Sequence, residues 1–180
     1  MVRSVSKLLL IFGTSCLLFA LFLIWQRNNP SRLSFAIDQI KHENTGGLNK
    51  PTKLIIKDLD LELPIYPVSL DYGKWQATTA GVSYLASSAK PGEIGNSIIY
   101  GHNWPNLLGK LPKVKPGQEI TIVFTDGSSK IFTIEYTSVV TPDQTHILNP
   151  TADSRITLYT CTGLFDNKRF VVTAVNKPYN

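Results

Sequence analysis

The chain has 180 residues, 43% hydrophobic and 17% charged, with a net charge of +5; this allows one folded domain with an appendage and excludes a multidomain machine. Residues 1–50 hold six basic side chains (Arg3, Lys7, Arg27, Arg32, Lys41, Lys50) against Asp38 and Glu43, while the other 130 residues hold twelve basic and eleven acidic groups. That distribution argues against nucleic acid as a partner, because phosphate contacts need Lys and Arg massed on the folded body.

The first element is apolar. Leu8–Trp25 runs 18 residues without a charge or a proline, and as a helix rising 1.5 Å per residue it would be about 27 Å long, enough to cross a bilayer. Arg3 and Lys7 precede it, Trp25 marks its far edge as an interfacial aromatic, and Arg27 follows. A cleaved secretory signal has an apolar run of only about 7–15 residues and a small-x-small cleavage site, which Trp25-Gln26-Arg27 does not offer. Residues 1–27 therefore read as a cytoplasmic stub and a single-pass signal anchor. Lys and Arg flank the span almost equally, and the terminal amine tips the N-terminus inward, leaving the rest of the chain extracytoplasmic at the cell membrane.

Residues 28–51 read as a linker. Asn28-Asn29-Pro30, Thr45-Gly46-Gly47 and Asn49-Lys50-Pro51 are loop signals. Between them Leu33, Ala36, Ile37 and Ile40 follow helical spacing after Ser31 or Ser34 as caps, which predicts a short amphipathic helix.

From residue 52 to 180 the apolar period changes to two. Leu59-Asp60-Leu61-Glu62-Leu63 alternates as a half-buried strand does. Ile120, Ile122 and Phe124 share one face, Phe132, Ile134 and Tyr136 share another, and Asp126–Ser129 between them predicts a hairpin turn. Ser97–Tyr100, Ile156–Thr160 and Phe170–Val175 are further strand-like runs, separated by turns such as Lys90-Pro91-Gly92 and Lys115-Pro116-Gly117. The body is thus all-β, a barrel or a sandwich.

Two cysteines are present. Cys16 lies mid-span, where a small polarizable side chain is ordinary filler. With the body outside the membrane the two cannot pair, so Cys161 is a lone thiol in a disulfide-permissive compartment, either a nucleophile or buried and inert. It ends the apolar run Ile156–Thr160, where a side chain can face a cleft. A nucleophilic thiol needs a proton partner. Of three histidines, His42 is in the linker, His146 is in a loop, and His102 follows Ser97–Gly101 at a strand-to-loop transition. Arg169 begins the strand Phe170–Val175 and can aim its guanidinium at the same cleft. One extracellular cysteine and three scattered histidines have no zinc-chelating spacing.

At these residues the chain resembles the sortases, the cysteine transpeptidases of the bacterial cell surface. Thr157-Leu158-Tyr159-Thr160-Cys161 matches the TLxTC signature, Gly101-His102 the histidine motif, and Arg169 before Phe170-Val171-Val172 the arginine position. Weaker agreement runs through Leu63-Pro64-Ile65, Pro91-Gly92-Glu93, Gly95-Asn96 and Lys115-Pro116-Gly117, so the likeness covers Leu54 to Val175 in order. The resemblance implies an all-β closed barrel with short helices. It also implies Cys161 as nucleophile, His102 as general acid and base, Arg169 stabilising the oxyanion or substrate, and Thr160 beside the substrate. The implied partners are a sorting-signal peptide with a Leu-Pro-x-Thr-Gly-like motif and an amine acceptor from peptidoglycan or a pilin. No cofactor is expected: some sortases bind calcium, but no acidic cluster here demands it. The roof between Cys161 and Arg169 is short, seven residues from Thr162 to Lys168.

Two rivals remain. An L,D-transpeptidase carries a Ser-x-Gly-Cys-Arg-like motif, whereas here threonines flank Cys161. A non-catalytic, membrane-tethered β-domain that binds surface proteins would bury Cys161 as an inert thiol; an alkylating reagent separates this reading from an active nucleophile.

Overall fold

The structure, a computed structural model, describes residues 2–27, 29–36, 49–71 and 74–176. It divides into two compact units, the first ending at Pro30 and the second beginning at Ser31. The first is one helix, α1 (Val2–Arg27). Its stretch Lys7–Gln26 has a mean hydropathy of 2.5 and no buried side chain, which makes it long and apolar enough to cross a membrane. Thr14, a polar residue within it, returns its hydroxyl to the carbonyls of Leu10 (3.0 Å) and Ile11 (2.9 Å), so that group needs no water.

The second unit is a barrel. Its strands are β1 (Pro51–Ile56), β2 (Leu61–Val68), β3 (Leu70–Asp71), β4 (Lys74–Trp75), β5 (Val82–Leu85), β6 (Gly95–Gly101), β7 (Glu119–Phe124), β8 (Ser129–Val140), β9 (Ser154–Thr162) and β10 (Lys168–Val175). The closed order is β1-β2-β5-β6-β9-β10-β8-β7, with β3 and β4 paired apart. Closure decides between barrel and sandwich. The pairs β2 with β5 and β6 with β9 are parallel, and the other pairs are antiparallel. The expected hairpin is present as β7 and β8, with Ile120 opposite Phe132 and Gly127 (φ 80) in its turn.

Alternation sorts the side chains into two layers. Leu54, Ile56, Ile120, Ile122, Phe132, Ile134, Ile156, Leu158, Val172 and Ala174 fill one cluster. A second cluster gathers Ile98, Tyr100, Tyr159, Cys161 and Val171 with Trp75, Leu85, Val140 and Leu148, capped by Leu33 and Phe35. β9 therefore reads as a continuous apolar run because it is covered on both faces.

Two local expectations are corrected. Leu59–Leu63 is not one strand: Lys57–Leu59 is a 3-10 turn closed by Asp60 in the left-handed region (φ 50), and β2 starts only at Leu61. The turn still buries Leu59, so alternation records burial and not strand here. The expected helix through Leu33 and Ala36 is absent where it is described: Pro30–Leu33 is a 3-10 turn and Ser34–Ala36 is non-helical. Leu33 and Phe35 are both buried, the period of extended chain, so contact with the barrel overrides helical spacing. Ile37, Ile40 and His42 lie outside the described residues.

Candidate active site

The barrel sets three sequence-predicted residues side by side at one rim. In the parallel register of β6 and β9, Gly101 is opposite Thr160, so His102 leaves β6 at the level where β9 reaches Cys161. On the other side Arg169 of β10 is directly opposite Cys161. Neighbouring strands are about 4.8 Å apart, so residues separated by 59 and 8 positions become lateral neighbours.

His102 is held from both ends. A Cβ on Gly101 would come within 3.2 Å of Val82 Cγ1 and 3.3 Å of Leu108 Cδ1, so glycine lets Leu108 close over the strand end. Leu108 N–H then donates to the His102 carbonyl at 3.0 Å, and the imidazole stacks on Trp104 with centroids 4.7 Å apart. Burial lowers the His102 pKa below 6.5, partly opposed by the charge of Asp166, so the ring is neutral at pH 7.

Cys161 is 4% exposed. Burial pushes its thiol up from 9.0 to about 12, with Arg169 and Arg32 pulling it down and Asp166 adding to the rise. The pair is a neutral thiol beside a neutral imidazole. Arg169, also buried, donates through one terminal nitrogen to the carbonyls of Asp166 and Lys168, both at 3.0 Å, and through the other to the Ser34 carbonyl at 2.8 Å. Its Nε has no partner among the described residues.

A strap, Arg32–Phe35, covers this rim. The Cys161 thiol donates to the Arg32 carbonyl at 2.9 Å, and the Tyr159 hydroxyl donates to the Leu33 carbonyl at 3.0 Å. Leu33 is wholly buried, and Phe35 meets Tyr159 edge to face with centroids 5.0 Å apart. The Arg32 guanidinium pairs with the Asp166 carboxylate at 2.6 Å, whose other oxygen accepts from Asn103 at 3.0 Å. Beyond the strap, Ala36 N–H donates to the Pro142 carbonyl at 2.9 Å. The short roof is itself strained: Gly163 (φ 81), Phe165 (φ 53) and Asp166 (φ 59) are all left-handed, which costs about 1–3 kcal/mol for each non-glycine residue. That conformation aims the Asp166 carboxylate at the strap.

A family model, the Sortase domain, matches residues 54–177. The chain belongs to the sortase family. Among solved structures, this sortase is similar to Streptococcus agalactiae sortase C1 in its complex with MTSET, at 26% identity over 72% of this chain and 68% of that one (TM-score 0.61). It is also similar to sortase A from Corynebacterium diphtheriae, at 26% identity over 88% of this chain and 83% of that one (TM-score 0.62). A sequence search of curated proteins finds no match.

Thr160, expected beside the substrate, is fully buried in this sortase, and its hydroxyl donates to the Gly101 carbonyl at 2.7 Å. It alternates with Cys161 along β9 and so faces the opposite side. Its contact fixes the strand that carries His102. Thr160→Val is expected to cost about 1 kcal/mol, measured by urea unfolding, through loss of that bond at nearly constant volume. His146 stands apart from the rim, lining a separate cavity of about 440 Å³ with Asn96, Tyr136 and Arg155.

Sequence reading missed Arg32, Leu33, Phe35, Tyr159, Asn103 and Asp166. Leu33 and Phe35 carried a usable signal, apolar residues two apart in a segment with loop punctuation, but helical spacing obscured it. Nothing in linear order couples Arg32 to Asp166.

Proposed function

We propose that this sortase is a membrane-anchored cysteine transpeptidase that cuts a sorting signal of surface proteins and passes the acyl group to an amine. The observation that carries this reading is the lateral row of His102, Cys161 and Arg169 on the ends of β6, β9 and β10. With the strap gone, the Cys161 thiol passes its proton to His102, and the thiolate attacks the carbonyl of the scissile bond, Thr-Gly in a Leu-Pro-x-Thr-Gly-like motif, and forms a thioester. His102 as imidazolium protonates the leaving glycine amine, and as neutral imidazole it then takes the proton of the incoming amine that displaces the thiolate. Arg169, permanently cationic, donates to the developing oxyanion or to the peptide backbone. The acceptor is an amine of peptidoglycan or a pilin, and the net exchange of one amide for another loses little energy. α1 serves as the single-pass anchor, with the barrel extracytoplasmic.

The closed rim holds neither the thiolate nor the imidazolium, and the Arg32 carbonyl occupies the thiol, so the strap leaves before a peptide enters. The buried thiol is what a non-catalytic binding domain would also present. Against that domain stands the cover itself, a strap whose successive carbonyls accept from Cys161 and Tyr159 of β9 and from Arg169 of β10.

The test is intact-mass spectrometry of the full chain in detergent, mixed with a panel of sorting-motif peptides with and without an amine acceptor. A Cys161 adduct that passes to the amine is the expected result; an accessible thiol that forms no adduct with any peptide overturns the reading. Arg169→Lys keeps the charge and loses the planar fork, so kcat/KM is expected to fall about 100-fold. An unchanged value would reduce Arg169 to a structural cation.

A further inference from the structure

We infer that Tyr159 is a substrate-positioning residue whose hydroxyl donates to a backbone carbonyl of the bound peptide, an inference that rests on the transpeptidase reading above. Tyr159 and Cys161 lie two residues apart on the same face of β9, about 6.6 Å along an extended chain. The phenol ring is fixed on several sides: it stacks on Tyr100 with centroids 5.3 Å apart at 13°, and Trp75 stands edge-on at 6.3 Å. Such a ring points its hydroxyl in one direction, and that direction is the strap.

The strap shows what this surface grips. Thiol, phenol and guanidinium each donate to one of three successive backbone carbonyls, those of Arg32, Leu33 and Ser34. Carbonyls are common to every peptide, so these three hydrogen bonds do not depend on the strap's side chains. Tyr100 offers a contrast, because its hydroxyl is committed to the Gln76 carbonyl within the body. The Tyr159 hydroxyl has its hydrogen bond with the strap, and once the strap leaves, any ligand that covers it must supply an acceptor or leave a buried donor unsatisfied. Burial holds its pKa well above 10.0, so it stays a donor at working pH. Two more buried donors near it, Trp75 Nε1 and Arg169 Nε, have no partner among the described residues. An extended peptide brings a carbonyl at each residue, which suits a surface that already grips three successive carbonyls.

Tyr159→Phe in the full chain keeps the ring and removes only the oxygen. With a peptide of the panel that the wild type turns over, the expected result is a KM about tenfold higher, equivalent to about 1.4 kcal/mol, with kcat within about twofold. Alkylation of Cys161 by iodoacetamide should meanwhile accelerate, because the strap loses the same bond. A thioamide scan of the peptide adds a cycle: replacing the engaged carbonyl oxygen by sulfur should weaken wild-type turnover and leave Tyr159→Phe unaffected. An unchanged KM beside a working wild type, or equal thioamide sensitivity in both enzymes at every position, overturns the inference alone. Faster alkylation with unchanged or improved peptide use would assign the hydroxyl to the strap only and also overturns it. A wild type that turns over no peptide removes the inference together with the reading beneath it.

Discussion

Cys161→Ala is expected to end peptide transfer, with no acyl adduct detectable by intact mass and no product above the rate in buffer. The thioester needs sulfur, and no other thiol can replace it: Cys16 is within α1, and the described structure holds both cysteines free. The barrel should survive, because the lost atom is one sulfur at the edge of the second cluster, not in the layer built from Leu54, Ile122, Phe132 and Leu158. Removing one buried group of methylene size costs about 1 kcal/mol. A far-UV spectrum and a cooperative unfolding transition close to the wild type check the fold. Full turnover in the alanine variant would sink the nucleophile assignment. The Arg32 carbonyl also loses its donor, so the strap should loosen slightly in this variant.

Leu33→Asp is expected to accelerate alkylation of Cys161 at pH 7 by about 100- to 1000-fold. Leu33 is wholly buried in the second cluster, and an aspartate there would be an unpaired buried carboxylate, costing several kcal/mol. That exceeds what the Arg32–Asp166 pair, partly exposed to solvent, returns for holding the strap. With the strap off, the chief cause of the raised thiol pKa is removed, and the value falls from about 12 toward 9.0. Each unit of fall raises the thiolate fraction about tenfold at a pH below both values. In the closed wild type the alkylation rate should climb about tenfold per pH unit with no plateau before about pH 12, while the opened variant should level off near 9. Equal rates and equal profiles would mean that the strap does not control access to the thiol.

Much of the architecture was legible because its causes are local. The hairpin of β7 and β8 shows in the alternation of Ile120, Ile122, Phe124, Phe132 and Ile134 around Asp126–Ser129, since a strand half-buried in a barrel must alternate. The apolar helix α1 is a run of side chains that no soluble surface would carry. Residues 31–36 misled for the converse reason: Leu33 and Phe35 take their period from the barrel surface they cover, and the helical spacing of Leu33 and Ala36 does not show that surface. Thr160 is a different case: its place in the signature does not show its partner, and its hydroxyl ties β9 to β6.

By itself the sequence determined the all-β class, the apolar N-terminal helix and the residue types of the row, because periodicity, hydropathy and the sortase-like signatures at His102, Cys161 and Arg169 are properties of short segments. Only the tertiary structure decided that the rim is closed, that Arg32 to Phe35 close it, and that thiol and imidazole are both neutral beneath. Those facts depend on contacts such as Cys161 to Arg32 across 129 residues and Arg169 to Ser34 across 135. Desolvation and a hydrogen bond from a distant backbone set a protonation state, and neither exists until the chain has folded around the group.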